Sequence, residues 1–249
     1  MSTLTLKRHV LPSLPYDYCA LQPWIDEQTM RIHHGYHHLR FVEELKAAQA
    51  RLEAAWQSGD ISLVRHFQQL VATHESAHAL HALFWETMGP NQGGQPRGEL
   101  TDQISEDFGS FATFKSCFSA AASSLETGGW VMLAWQPKSQ QLAIRAAEGY
   151  RLDAGVDAGA LLVLDVAEHA YYLKYQHRRA EYVHNWWNTV HWPRVMQRFA
   201  VAVQSGSGSV GNSTFGCAAP KRRQSHVSST AATSPFDPRA AVASTVSPR

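Results

Sequence analysis

The chain has 249 residues, 44% of them hydrophobic, which suffices for one large domain or two small ones and for a substantial core without disulfide staples. Its 22 basic and 21 acidic residues leave a net charge of +1, so no field steers it toward nucleic acid or an anionic membrane. No apolar run is long enough to span a bilayer, the start MSTLTLKRHV lacks the apolar centre of a signal peptide, and Cys19, Cys117 and Cys217 form neither a disulfide framework nor a CxxC clip. The expectation is a cytoplasmic protein in a reducing compartment. Histidine stands out, at fourteen residues.

The opening LPSLPYDYCALQPW is punctuated by proline and reads as an extended surface arm. Asp26 then offers a helix cap, and a long helical pattern runs to about Gln57, where Ser58-Gly59-Asp60 breaks it. His33, His37 and Phe41 share one face of that helix, with His34 and His38 on an adjacent stripe. A second helix is expected from Ser62 to Met88, with His74, His78, His81 and Trp85 on one face. Two long helices joined by a short turn make an antiparallel hairpin whose histidines can approach one another. The glycine- and proline-rich segment Gly89 to Gly98 is the best internal boundary.

Beyond it, shorter helices are expected over Glu99–Phe108 and Phe111–Glu126. Trp130–Gln136, Gln141–Ala146 and Leu161–Leu164 then read as a small antiparallel three-stranded sheet. Helices over Ala167–Arg179 and Tyr182–Val203 close the fold. The class is α+β, divided into an arm and helical hairpin (1–97), an α/β unit (98–203) and a serine-, glycine- and proline-rich tail (204–249), expected to be disordered. The Lys221-Arg222-Arg223 run in that tail reads as a solvated charge cluster.

Two patterns carry metal chemistry. His74-Glu75-Ser76-Ala77-His78 satisfies HExxH, the zinc-protease arrangement, but a pattern with two free positions is weak in a histidine-rich chain, and no metzincin-type continuation follows, since LHALFW comes next. Asp165 and His169 stand four residues apart where the apolar run Leu161-Leu162-Val163-Leu164 ends. They are either two metal ligands at a strand-to-helix junction or a capping carboxylate beside a buried histidine, and the spacing leaves both readings open.

The strings LPSLPYDYCAL, TMRIHHGYHH, HALFW, GGW, LDVAEHAYYLKYQHRRAEYV and WWNTVHW, in this order and spacing, resemble the iron/manganese superoxide dismutases from about Leu11 to Phe199. The resemblance implies one iron or manganese ion per subunit, held by His33, His81, Asp165 and His169, and conversion of superoxide to dioxygen and hydrogen peroxide. Zinc lacks the redox step for such a cycle. The resemblance also makes His37 an entrance histidine and Tyr172 the tyrosine that reaches it from a partner subunit. Glu168 becomes the glutamate that bonds a ligand histidine across a homodimer interface, and Trp85 and Trp130 pack around the metal.

The chain departs from the family pattern around those ligands. Phe41 stands where the family has a tyrosine, Ala167 and Met132 where it has tryptophans, and Ala77 where iron forms have a glutamine. The alternative glutamine position of manganese forms falls near Glu148 to Tyr150, either of which offers a polar group. Such neighbours tune the redox potential and the acidity of bound solvent. A second reading is therefore an iron- or manganese-dependent oxidase or oxygenase admitting an organic substrate near Ala167 and Met132, and a third is a non-catalytic binding or assembly protein. His9, His66, His177, His184, His191 and His226 receive no chemical role.

Overall fold

The computed structural model describes residues 9–59, 61–150 and 159–207. They lie in one compact unit. Asp26 begins the first helix as its sequence suggests: its carboxylate accepts from the Thr29 backbone N–H at 2.8 Å and from the Thr29 hydroxyl at 2.6 Å. Helix α1 (Glu27–Ile32) then passes into a π-helical stretch, His33–His38, before α2 (Leu39–Ser58) resumes regular geometry. The single helix expected from the sequence is thus interrupted within HHGYHH. The Leu39 N–H reaches back to the His34 carbonyl, five residues earlier, and such wide turns collect at functional sites. Gly59, at φ 73°, caps α2 in the left-handed region, while the Asp60 of the expected break lies outside the described residues.

Helix α3 (Val64–Glu86) returns along α2 to complete the hairpin. Helices α4 (Glu99–Phe108) and α5 (Phe111–Ser124) lead into strands β1 (Gly129–Gln136), β2 (Gln141–Glu148) and β3 (Ala160–Asp165), antiparallel in the order β2-β1-β3. Central β1 is buried from Gly129 to Trp135, and β3 along its whole length, so β1 as far as Trp135 and β3 as far as Leu164 are apolar runs rather than alternating ones. Trp130 pairs with Asp165, which puts the carboxylate at the end of β3 beside the aromatic that opens β1.

The last third differs most from expectation. In place of one helix over Ala167–Arg179 there is a 3-10 turn at Glu168–Ala170 and a single α-turn, α6 (Tyr172–Tyr175), stopped where Gln176 takes φ 47°. The expected helix Tyr182–Val203 is split into α7 (Arg179–Trp186), a 3-10 turn at Trp187–Thr189, and α8 (Trp192–Ser207). Tertiary pairing overrides local propensity here. Val190 bridges Met88, the Gly89 N–H donates to the Thr189 carbonyl at 2.8 Å, and the His191 N–H donates to the Thr87 carbonyl at 2.8 Å. These bonds latch the end of the hairpin to the C-terminal segment, and Pro193 is tolerated because it sits in the first turn of α8. Helix α8 also passes residue 204, where the tail was expected to begin. The rest of that tail, with Lys221-Arg222-Arg223, lies outside the described residues.

Candidate metal centre

His33 in the π stretch, His81 in α3, Asp165 at the end of β3 and His169 in the following 3-10 turn converge deep in the molecule. One donor atom from each lies within 4.8 Å of all the others, and this is the one such cluster of histidine, cysteine and carboxylate among the described residues. Asp165 Oδ2 is at its focus, 3.1 Å from His33 Nε2, 3.8 Å from His81 Nε2 and 3.0 Å from His169 Nε2. The other oxygen, Oδ1, is held by the Ala167 backbone N–H at 2.9 Å, and the Tyr182 hydroxyl donates to the Asp165 carbonyl at 2.9 Å. One carboxylate oxygen is therefore anchored while the second faces three imidazoles.

His81 is oriented by the group behind it. His81 donates its Nδ1–H to the Ala77 carbonyl at 2.7 Å, which leaves the lone pair on Nε2 aimed at the cluster. His81 Nε2 and His33 Nε2 are buried without a hydrogen-bond partner, because His33 approaches Asp165 out of line for one. Two orphaned buried nitrogens facing an anchored carboxylate fit a bound cation, which would satisfy all three.

Protonation points the same way. Burial lowers the His33 pKa to about 4 despite the neighbouring carboxylate, and burial followed by the nearby His33 drives His81 well below its ordinary value. Both are neutral at pH 7, the form that binds metal. Burial acts to raise the Asp165 pKa, but His169 and His33 against its carboxylate outweigh burial and hold it well below the ordinary range. His169 is the counterpart: burial lowers its pKa, but Asp165 outweighs that and the net shift is upward.

Aromatic groups complete the walls. Trp85 meets His33 edge-on at 4.8 Å, Trp130 meets His81 edge-on at 5.0 Å, and His37, half-buried, stacks on His169 at 4.4 Å and 18°. Glu168 and Tyr172 lie on the surface, Tyr172 with 49% of its area exposed. Phe41 packs on His81 at 5.4 Å, Met132 is wholly buried in β1, and Ala167 lies against Gly128, where a Cβ would come within 2.9 Å of the Ala167 Cα. Of the two polar residues expected after β2, Glu148 is exposed, whereas Tyr150 lies stacked at 26° and 6.1 Å on His81.

Sequence reasoning gave no role to His38, yet it forms the wall behind His81, stacked at 5.1 Å and 17°. Its Nδ1 accepts from the Trp85 indole N–H at 3.0 Å. An indole only donates, so a neutral His38 carries its proton on Nε2 and donates to His78 Nδ1, 2.7 Å away. Burial, then the charges of His78 and His34, lower its pKa to about 3. The signal was present in the one-turn spacing of His34 with His38 and of His74 with His78, but periodicity does not say which stripe faces a metal. The HExxH residues face different partners, since His78 bonds His38 while His74 lies 3.4 Å from Glu44, and they do not converge on a centre.

A helical hairpin and a small α/β unit that together gather three imidazoles and one carboxylate form a cluster that could hold a single metal ion. The family model described as iron/manganese superoxide dismutases, alpha-hairpin domain, matches residues 8–89, and the one described as their C-terminal domain matches residues 96–198. The chain is 42% identical over 195 residues to "Probable superoxide dismutase [Fe]" of Bacillus subtilis, covering 78% of this chain and 69% of that protein. It is 42% identical over 203 residues to "Superoxide dismutase [Fe]" of Pyrobaculum aerophilum, covering 80% and 96%. It is 38% identical over 207 residues to "Superoxide dismutase [Mn]" of Nocardia asteroides, covering 82% and 99%. The chain belongs to the iron/manganese superoxide dismutases.

Proposed function

We propose that His33, His81, Asp165 and His169 hold one iron or manganese ion per chain and that the protein is a superoxide dismutase, producing dioxygen and hydrogen peroxide from superoxide. The observation that carries the reading is the pair of orphaned buried imidazole nitrogens facing Asp165 Oδ2. The bound ion, alternating between its trivalent and divalent states, supplies the one-electron chemistry. The residues supply its setting. His33 and His81 bring neutral nitrogen donors, Asp165 brings the negative charge, and the Ala77 carbonyl and Ala167 N–H keep these groups oriented. Trp85, Trp130 and Phe41 exclude bulk water from the ligands.

His37 is the entrance residue of this reading. Burial, then the neighbouring His169, lowers its pKa, so at pH 7 it is neutral and can accept and return a proton at a ring nitrogen beside the incoming anion. Tyr172 assists it from the partner of a homodimer, and Glu168 bonds a ligand histidine across the same interface; the surface positions of both support this. The division of the chain at residues 97 and 98 belongs to the same reading, supported by the two family matches. A cytoplasmic location accords with free, exposed Cys19 and Cys117. Among the described residues no helix is long and apolar enough to cross a membrane, and the near-zero net charge gives no reason to expect nucleic acid as a partner.

No observation favours the oxidase or oxygenase reading. A surface pocket of about 440 Å³ lined by Tyr16, Trp85, Met88, His191 and Arg194 includes neither Ala167 nor Met132. The test is metal analysis of the purified protein, followed by superoxide decay with iron-loaded and manganese-loaded samples. About one ion per chain and activity in at least one form are expected. Inactivity of both loaded forms would overturn the dismutase assignment.

A further inference from the structure

Phe41, Trp130 and Tyr150 also pack around His81, and among these three only Tyr150 carries an oxygen. Its ring lies 4.5 Å from Phe41 and stacks on His81 at 6.1 Å, and Phe41 itself is 5.4 Å from His81. Trp130 completes the enclosure, edge-on to His81 at 5.0 Å, and its indole N–H is buried with no acceptor. A buried donor with no partner costs about 1–3 kcal/mol unless an acceptor reaches it.

The backbone explains how a residue just past β2 reaches the pocket. Glu148, the last residue of β2, pairs with Gly129 and points to solvent. Gly149 then takes φ 62°, a left-handed turn open to glycine, and its N–H donates to the Gly128 carbonyl at 3.4 Å. That turn carries Tyr150 off the exposed sheet edge and against the ligand histidine.

We propose that Tyr150 carries the hydroxyl of this pocket and donates the hydrogen bond that positions a small anion at the metal centre, the task for which Phe41 has no polar atom. Tyr150 is thus a positioning and specificity-determining residue for superoxide, and the inference rests on the metal-site reading above. A phenol is protonated at neutral pH, so the hydroxyl is available as a donor. One net hydrogen bond to an anion is worth roughly a five- to tenfold change in affinity.

The experiment is an azide titration of the iron-loaded full-length protein, read by absorption, with metal content measured on the same samples. Tyr150→Phe is expected to keep its iron and to raise the azide dissociation constant about five- to tenfold. The double variant Phe41→Tyr with Tyr150→Phe returns a hydroxyl across the ring contact and is expected to bring the constant back to within about twofold of the parent. Equal azide affinity in the parent and Tyr150→Phe overturns the proposal. Failure of the double variant to recover also overturns it, because the loss would then come from packing rather than from the hydroxyl. An iron-loaded parent with no azide-dependent band overturns the metal-site reading itself, which separates the two failures.

Discussion

The two halves of the chain bring unlike pairs of groups to the same point. The helical hairpin contributes His33 and His81, which are neutral, buried and unsatisfied at the nitrogens they turn inward. The end of β3 and its following turn contribute Asp165 and His169, which satisfy each other through a hydrogen bond at 3.0 Å. The first pair therefore depends on a cation to complete its bonding, while the second is self-sufficient without one. A cation bound there would meet nitrogens already without a hydrogen in the hairpin pair, and would compete with the Asp165–His169 hydrogen bond in the other.

The largest effect is expected from Asp165→Asn, which keeps the shape but removes the one negative charge at the focus of the cluster. Metal affinity should fall by at least about a hundredfold, at the upper end of the range for a perturbed site, measured as ions per chain after dialysis. His81→Ala should also strip metal severely, while His78→Ala, which touches the centre only through His38, should retain it. Loss of metal in His78→Ala with retention in His81→Ala would instead mark the HExxH residues as the ligands.

Acid sharpens the contrast between the halves in metal-free protein. His33 has a folded pKa of about 4 against 6.5 in the unfolded chain, so between those values the unfolded state binds the extra proton. Its contribution is complete above pH 6.5 and is lost as pH falls toward 4, by about 3 kcal/mol for this residue alone. His38 and His81 act in the same direction. His169 acts oppositely: its raised pKa gives stability present below 6.5 and lost as pH rises through the folded value. With His37 and His78 also lowered, five lowered histidines against one raised predict a net fall in urea-unfolding stability from pH 6.5 to 4. Asp165, depressed in the fold, should begin to count only below the ordinary carboxylate value of 3.8. Stability that is flat or rising across the upper window would mean that the hairpin histidines are not buried as neutral groups.

The smallest expected effect tests the start of β1, where Trp130 pairs with Asp165. Gly129→Ala introduces a Cβ against the Ala147 carbonyl at a φ of 148°, and Gly128 next to it already approaches the Ala167 backbone. The substitution should cost about 1–3 kcal/mol in thermal unfolding and loosen the Trp130–Asp165 register. An unchanged melting temperature would show that the start of β1 tolerates movement and does not hold the strand-end ligand in place.

Much of the architecture was legible in the residues. The Asp26 cap, the break at Gly59, the two hairpin helices and the three strands follow from capping chemistry, left-handed glycine and apolar runs, and they form within a few residues of where those signals place them. The break at Val190 was not legible, because it is imposed by bonds to Thr87 and Gly89, about a hundred residues away in the chain. In the site, Asp165 with His169 was readable as a local pair with two meanings, and resemblance supplied His33 and His81. His38 was passed over because a stripe of histidines looks the same whether it ligates, stacks or faces solvent.

By itself the sequence determined which donor types were on offer: imidazoles at helical spacing, a carboxylate closing an apolar strand, and the odd exchange of tyrosine for phenylalanine at position 41. Only the tertiary structure decided which of them meet. It does so by turning HHGYHH through a π stretch, by fixing His81 Nδ1–H on the Ala77 carbonyl, and by swinging Tyr150 inward at Gly149. The physical reason is that local patterns set backbone conformation over a few residues, whereas a metal centre needs the burial and tautomer of side chains that come together only when distant segments pack.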